Sequence, residues 1–348
     1  ANVLTVDLGL VPGNRVLLRG GNSVAMALAW LGTVQAGLVA VATMPLLRAK
    51  ELGAILTKSQ PSVALCDAQL QDELKTALAA DPGAASTQLL VFNAGDTDAA
   101  NSLEALARRH GPTSTPCRTA ATDIALLAFT SGTTGTPKAA VHTHRDVLAA
   151  CETWPRHVLR ATPDDIVMGS PPLAFTFGLG GLLVFPMWAG ASVYFPSIAY
   201  TPEGMVQLIG RVGATICYTA PTFYRQMAAF ARQHGLGRLR ISVSAGEGLP
   251  DATRQLWKDA TGLEMIDGIG ATEMFHIFIS AAPEAVRRGA IGQVVPGYEA
   301  RVVDDDGQPL PIGEVGKLAV IGPTGCKYLD EPRQTQYVRG GWNYPGDA

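Results

Sequence analysis

Charge is scarce in this chain. Asp, Glu, Lys and Arg make up 16% of its 348 residues, and two long tracts, Arg19 to Arg48 and Asp165 to Glu203, hold none between their ends. A hydrophobic fraction of 47% with so little charge excludes a disordered chain and implies a large buried core. Either uncharged tract is long enough to span a bilayer. Pro171, Pro172, Pro186 and Pro196 cut the second, however, and Gly32, Gln35, Gly37 and Pro45 cut the first. Such breaks suit core helices and strands of an α/β domain, so no membrane span is expected. A basic excess is missing too. Lys and Arg number 27 against 30 Asp and Glu, a net charge of −3 that offers no footprint for nucleic acid. Paired cysteines are absent: Cys66, Cys117, Cys151, Cys217 and Cys326 stand singly. That spacing argues against a zinc site or a disulfide framework and suits reduced thiols in the cytoplasm. No basic segment precedes an apolar core at the start, where Asp7 interrupts, so no secretory leader is read.

What is present is an alternation of short apolar runs and amphipathic stretches, the pattern of parallel α/β units. Strands are expected at 15–18, 63–66, 89–92, 124–129, 192–195, 215–218, 241–244 and 264–267. Helices are expected at 23–37, 49–58, 67–80, 102–109, 143–154, 202–212, 221–234 and 250–261, several opening on an N-cap or a proline. After about Pro283 the texture turns to hairpins without helices: 298–303, a turn at 304–307, then 316–321. Three parts follow: 1–121, an αβ portion ending in a connecting region from Ala94; 122–283, a second αβ portion with the site; and 284–348, β-rich.

One loop stands out. Thr130-Ser131-Gly132-Thr133-Thr134-Gly135-Thr136-Pro137-Lys138 follows an apolar run and carries five hydroxyls, two glycines and a lysine. Hydroxyl donors, close backbone approach and a cation are what a triphosphate needs. Pro137 before the lysine and Ala139 after it separate this loop from the common P-loop, which has a magnesium-binding Ser or Thr there. Alone, the string also reads as a surface turn. Three motifs follow in order. Ser244-Ala245-Gly246-Glu247-Gly248-Leu249-Pro250 ends a strand and opens a helix, where open α/β sheets bind ligands. Asp267-Gly268-Ile269-Gly270-Ala271-Thr272-Glu273 ends the next strand, and Gly340 to Asp347 lies at the C-terminus.

These four motifs, in this order, resemble the adenylate-forming superfamily of acyl/aryl-CoA synthetases, luciferases and peptide-synthetase adenylation domains, over essentially the whole chain. Pro172 to Gly180, Thr272 to Phe278 and Gly322 to Leu329 resemble more narrowly the benzoate and 2-aminobenzoate CoA ligases, the latter fitting best. The resemblance implies the large N-terminal domain of such enzymes: two doubly wound αβ subdomains plus a small antiparallel β subdomain. It also implies a two-step reaction. A carboxylate attacks the α-phosphate of ATP to give an acyl-adenylate and pyrophosphate; coenzyme A thiolate then displaces AMP. Medium-chain fatty-acyl ligase, carrier-loading adenylation domain and non-catalytic nucleotide module are the alternatives.

Roles follow the same resemblance. Thr130, Ser131, Gly132, Thr133, Thr134, Gly135 and Lys138 would grip the β- and γ-phosphates. Thr272 would bond the α-phosphate and Glu273 would hold Mg²⁺, these two and Lys138 forming the catalytic set. Ala245, Gly246 and Glu247 would wall one side of adenine, and Asp267, Gly268 and Ile269 the other; the family often has an aromatic residue at the place of Ile269. Asp347 would receive the ribose hydroxyls, with Pro345 standing where the family commonly has Thr. The acid pocket would take Phe175, Thr176, Phe177, Tyr218 and Ala220 on one side and Gly270, His276 and Ile277 on the other. Aromatic walls with glycine clearance suit a flat aryl acid. Phe175 and Phe177 also read as plain core packing, and His276 as a satisfied core histidine. His142 and His144 read as flanking a helix start and not as a metal pair; Asp164-Asp165 and Asp304 to Asp306 read as solvated turns. The superfamily continues past this C-terminus into a small domain whose lysine assists adenylation. A fragment of a longer, cytoplasmic and homodimeric enzyme is therefore expected, able to bind nucleotide but poor at turnover.

Overall fold

The computed structural model describes residues 1–84, 86–95, 99–130, 137–197, 200–325, 327–332 and 334–346. Ser131 to Thr136 of the phosphate loop, Cys326 and Asp347 lie outside the described residues. The chain divides into two compact units: Ala1–Arg145 with Pro172–Phe175, and Asp146–Pro171 with Thr176–Ala348.

The first unit is built on a six-stranded sheet. Its strands are β1 (Arg15–Arg19), β2 (Val39–Thr43), β3 (Val63–Asp67), β4 (Gln88–Phe92), β5 (Ile124–Thr130) and β6 (Lys138–Thr143), in the order β4-β3-β1-β2-β5-β6. All pairings are parallel except the last, where β5 and β6 run antiparallel and Thr130 faces Lys138 in register. The loop is therefore flanked by strands on both sides. The sequence reading expected only the first strand, because Lys138-Ala-Ala is poor in the β-branched residues that signal one. It also passed over β2, which sits inside the uncharged tract and shows no alternation.

The second unit holds three sheets. The largest is fully parallel: β7 (Ile166–Gly169), β8 (Ser192–Val193), β9 (Ile216–Thr219), β10 (Ile241–Ser244) and β11 (Met265–Ile266), ordered β11-β10-β9-β7-β8. Helix Pro202–Val212 shows why its helices fall where they do. The Thr201 hydroxyl accepts from the Gly204 amide, Pro202 occupies the first turn, and Gly213 at φ +67° ends it. Its Met205, Val206 and Ile209 bury against the sheet with Met168, Cys217, Tyr224, Met227 and Trp257. Two polar tips fix the packing. The Tyr224 hydroxyl donates to the Cys217 and Val243 carbonyls, and Trp257 Nε1 donates to the Ser242 hydroxyl at 3.0 Å.

Antiparallel structure begins with β12 (Gly268–Gly270), β13 (Ile277–Ser280) and β14 (Gln293–Val294). A four-stranded sheet follows: β15 (Glu299–Val303), β16 (Lys317–Ile321), β17 (Val338–Arg339) and β18 (Trp342–Asn343), ordered β15-β16-β18-β17. The expected absence of helices here is corrected by one short helix, Gln334–Tyr337. A second correction concerns Asp165. It is no solvated turn residue but 3% exposed, clamped by Arg240 at 2.9 and 2.6 Å and by the Thr215 hydroxyl at 2.7 Å. His142 is fully buried on β6, while His144 opens helix His144–Glu152. No helix among the described residues is long and apolar enough to cross a membrane.

Candidate active site

The carboxyl ends of the parallel strands carry most of the expected positions in the second unit. Beyond β9 come Ala220, which N-caps helix Pro221–His234, and Thr222, whose amide and hydroxyl both donate to Glu247 Oε1 at 3.1 and 2.9 Å. Glu247 itself follows β10 after Ala245 and Gly246, the latter at φ +95°, a conformation open to glycine. A carboxylate seated on a helix N-terminus is favourably placed, and here it pins the loop. Asp267 follows β11, buried. Burial pushes its carboxyl up, opposed by its bond to the Gly268 amide and by the Arg254 guanidinium 3.7 Å away. Gly268 and Gly270 let β12 lie close on β13. A Cβ on the first would come within 2.5 Å of Ile277, and on the second within 2.8 Å of the His276 carbonyl. Ile269 and Ile277 thus belong to one antiparallel ribbon.

Thr272 and Glu273 form a single 3₁₀ turn, Thr272–Met274. Phe275 then reverses the chain at φ +71°, an outlier for a bulky residue and the kind of strain that gathers at functional sites. Its ring is fully buried beside Phe185 and so holds the turn in place. Glu273 is half-buried, and the Tyr328 hydroxyl donates to its Oε1 at 2.6 Å.

Next to this turn in the sequence, His276 joins a cluster of aromatic rings. Phe177 stands edge-on to Tyr218 at 5.7 Å and 5.3 Å from the His276 ring. Trp154 lies 5.0 Å and Phe185 4.6 Å from His276. These separations are those of favourable aromatic pairs. Among the described residues, Trp154 Nε1 and the Tyr218 hydroxyl find no partner, and the His276 ring has only the Phe177 main chain beside it. Buried polar atoms are nearly always bonded, so a cluster of unmet ones marks a place built for polar company. Burial drives the imidazole down to about 3, with the Phe177 main chain only partly offsetting it, and drives the Tyr218 phenol well up. Both groups are neutral at physiological pH. Two consecutive glycines in the irregular helical segment Gly180–Val184 make the room: a Cβ at Gly180 would come within 2.8 Å of His276, and at Gly181 within 2.7 Å of Tyr218.

Thr176 opens the short helix Thr176–Leu179 and is buried, whereas Phe175 belongs to the first unit and is 43% exposed. Also in the first unit, Lys138 is 8% exposed at the start of β6, and the Thr130 hydroxyl is buried without a partner among the described residues. The sequence reading missed Trp154, Phe185 and Tyr328. Trp154 was taken as the last residue of a helix, and Phe185 sat unmarked in the uncharged tract. Tyr328 did lie in a quoted motif, Gly322 to Leu329, with no role attached.

A parallel α/β sheet with ligand-facing loops at its carboxyl edge and an antiparallel annex is the fold of the N-terminal domain of adenylate-forming CoA ligases. The chain belongs to the AMP-binding family, described as AMP-binding enzyme, which it matches over residues 1–327. It is 32% identical to the benzoate–CoA ligase of Thauera aromatica over 99% of this chain and 66% of that protein. It is 30% identical to the anthranilate–CoA ligase of Pseudomonas aeruginosa over 97% of this chain and 64% of that one. In three dimensions it superposes on the anthranilate CoA ligase AuaEII, solved in complex with anthranoyl-AMP, with a TM-score of 0.93 at 34% identity. That match covers 99% of this chain and 67% of the other. The chain thus spans slightly less than two thirds of the length of these curated relatives.

Proposed function

We propose that the protein activates a small aromatic carboxylic acid of the benzoate or 2-aminobenzoate type, first as its adenylate and then as its coenzyme A thioester. The observation that carries this reading is the cluster of Trp154, Phe177, Tyr218 and His276, aromatic rings among which Trp154 Nε1 and the Tyr218 hydroxyl have no partner among the described residues. Aromatic faces favour a planar ring, while neutral N–H and O–H groups favour a ring substituent or a carboxylate over a methylene chain. The names of the relatives support the same class.

In the first step a carboxylate oxygen forms a bond to the α-phosphorus of ATP as the bond to pyrophosphate breaks. In the second, the thiolate of coenzyme A bonds to the acyl carbon and AMP leaves with the electron pair. Charge grows on phosphate oxygens throughout, so donors and cations matter more than a nucleophile. Thr130 to Gly135 and Lys138 would hold the departing pyrophosphate, and Thr272 the α-phosphate. Ala245, Gly246, Glu247, Asp267, Gly268 and Ile269 would flank adenine, and Asp347 would take the ribose hydroxyls. Phe175, Thr176, Ala220, Gly270 and Ile277 would complete the acid site. Mg²⁺ suits the residues present: it keeps waters and substrate phosphates as ligands and needs only one or two hard protein carboxylates. Glu273, with one oxygen bonded to Tyr328 and the other left to accept, supplies one. When bound, that ion would offset phosphate charge.

Calorimetric titrations with benzoate, 2-aminobenzoate and octanoate, each with ATP and Mg²⁺, test the acid class. Binding of either aryl acid with none of octanoate is expected; the reverse order would end the aryl reading. Release of pyrophosphate on adding the bound acid tests the chemistry.

A further inference from the structure

We propose that Tyr328 is a positioning residue for the Glu273 carboxylate, and that Thr324 and Tyr328 together form the brace that sets the Thr272–Met274 turn. The inference rests on the reading of Glu273 as the Mg²⁺ carboxylate and extends it to a residue 55 positions away.

The brace grips the turn at two points. Near its start, the Thr324 hydroxyl donates to the Met274 carbonyl at 2.8 Å and also bonds the Tyr298 hydroxyl at 2.8 Å. Gly322 makes this possible, since a Cβ there would fall 2.1 Å from the Tyr298 ring. At its end, the Tyr328 hydroxyl meets Glu273 Oε1 at 2.6 Å. Tyr328 is only 5% exposed, edge-on to Tyr337 at 5.1 Å, and its amide donates to Gln334 Oε1 at 2.7 Å.

The chemistry of the pair explains what this achieves. Glu carries three rotatable bonds and loses much freedom when a ligand fixes it. A phenol donates a single proton to a single oxygen, so it orients the carboxylate while leaving the second oxygen open. The phenol is a neutral donor, so it places no positive charge of its own beside the carboxylate. Groups that orient a metal-binding side chain in this way change affinity by roughly 10- to 100-fold when removed.

The test uses the full chain with ATP and Mn²⁺ as a paramagnetic probe, read by electron paramagnetic resonance, with ATP affinity in EDTA measured beside it. Tyr328→Phe keeps the ring and should leave metal-free ATP affinity unchanged and lower Tm by only a few degrees, while raising the Mn²⁺ concentration for half-saturation about tenfold. In a Glu273→Asp background, whose shorter side chain withdraws from the hydroxyl, the same change should have no further effect. A Tyr328 ζ-¹³C resonance that moves on Glu273→Gln would support the bond in the unaltered enzyme, and one that does not move would overturn it. Equal Mn²⁺ dependence in the wild type and Tyr328→Phe, with Glu273→Gln weakened, overturns the positioning role alone. Unchanged Mn²⁺ dependence in Glu273→Gln overturns the metal role and the brace together.

Discussion

At the scale of the residue, His276 shows how burial sets chemistry. Its ring is 4% exposed and packed against three others, those of Trp154, Phe177 and Phe185. Desolvation therefore holds it neutral down to about pH 3. In the unfolded chain it would take a proton near pH 6.5. Because the folded value lies below the unfolded one, stability is lost as pH falls from about 6.5 toward 3, where only the unfolded state binds the proton. Replacing it by Phe should flatten that slope. Urea unfolding should show the variant losing about 2 kcal/mol less than the wild type between pH 7 and pH 4.5; parallel curves would show that the imidazole is not buried neutral. The sequence marks position 276 by its place after Thr272-Glu273. It does not show the ring's aromatic surroundings, since they depend on Trp154, Phe177 and Phe185, far away in the chain.

Elements are joined by a few polar pins. Strands β7 and β9 meet the loop before β10 at Asp165, which bonds Arg240, the Thr215 hydroxyl and the Thr162 amide. Burial pushes this carboxyl up, but the Arg240, Thr215 and Thr162 bonds outweigh it and bring it down to about 2. A folded value below the unfolded one means the contribution is present above about pH 4 and disappears as pH falls toward 2. Arg240→Met should lower stability by about 1–2 kcal/mol at pH 7, a figure trimmed because the guanidinium is 42% exposed to screening solvent. The deficit should shrink to near zero by pH 2 in a denaturant titration; a deficit constant with pH would refute the ion-pair account. Asp164-Asp165 looked like a turn in the sequence because two adjacent acids usually sit in water. Only the return of Arg240 from 75 residues on makes burial tolerable.

For the whole molecule, the two compact units make a spatial forecast possible. The aromatic cluster, the Thr272–Met274 turn and its brace all belong to the second unit. Benzoate binding should therefore slow amide exchange in residues 176–184 and 268–280, which bury its proposed walls. The β1, β2 and β3 amides of the first unit should exchange as before. Hydrogen-exchange mass spectrometry with saturating benzoate reads this directly. Protection confined to the six-stranded sheet would mean that the acid binds elsewhere.

Several features were set by the sequence alone. Helices 202–212 and 221–234 were legible to the residue, since Thr201, Pro202 and Gly213, or Pro221 and Gly235, act on the backbone next to them. The four motifs stand out in the sequence in the same way, because close spacing along the chain lets a short string suggest a loop's chemistry. The tertiary structure decided the rest. Strands β2, β6 and β7 form where neighbours supply the edge, not where their own residues insist on extension. The hold of Tyr328 on Glu273, the glycine clearance under Tyr218 and the rings around His276 arise between residues 37 to 122 positions apart. Contacts of that span exist only once the chain has closed upon itself, and no local pattern encodes them.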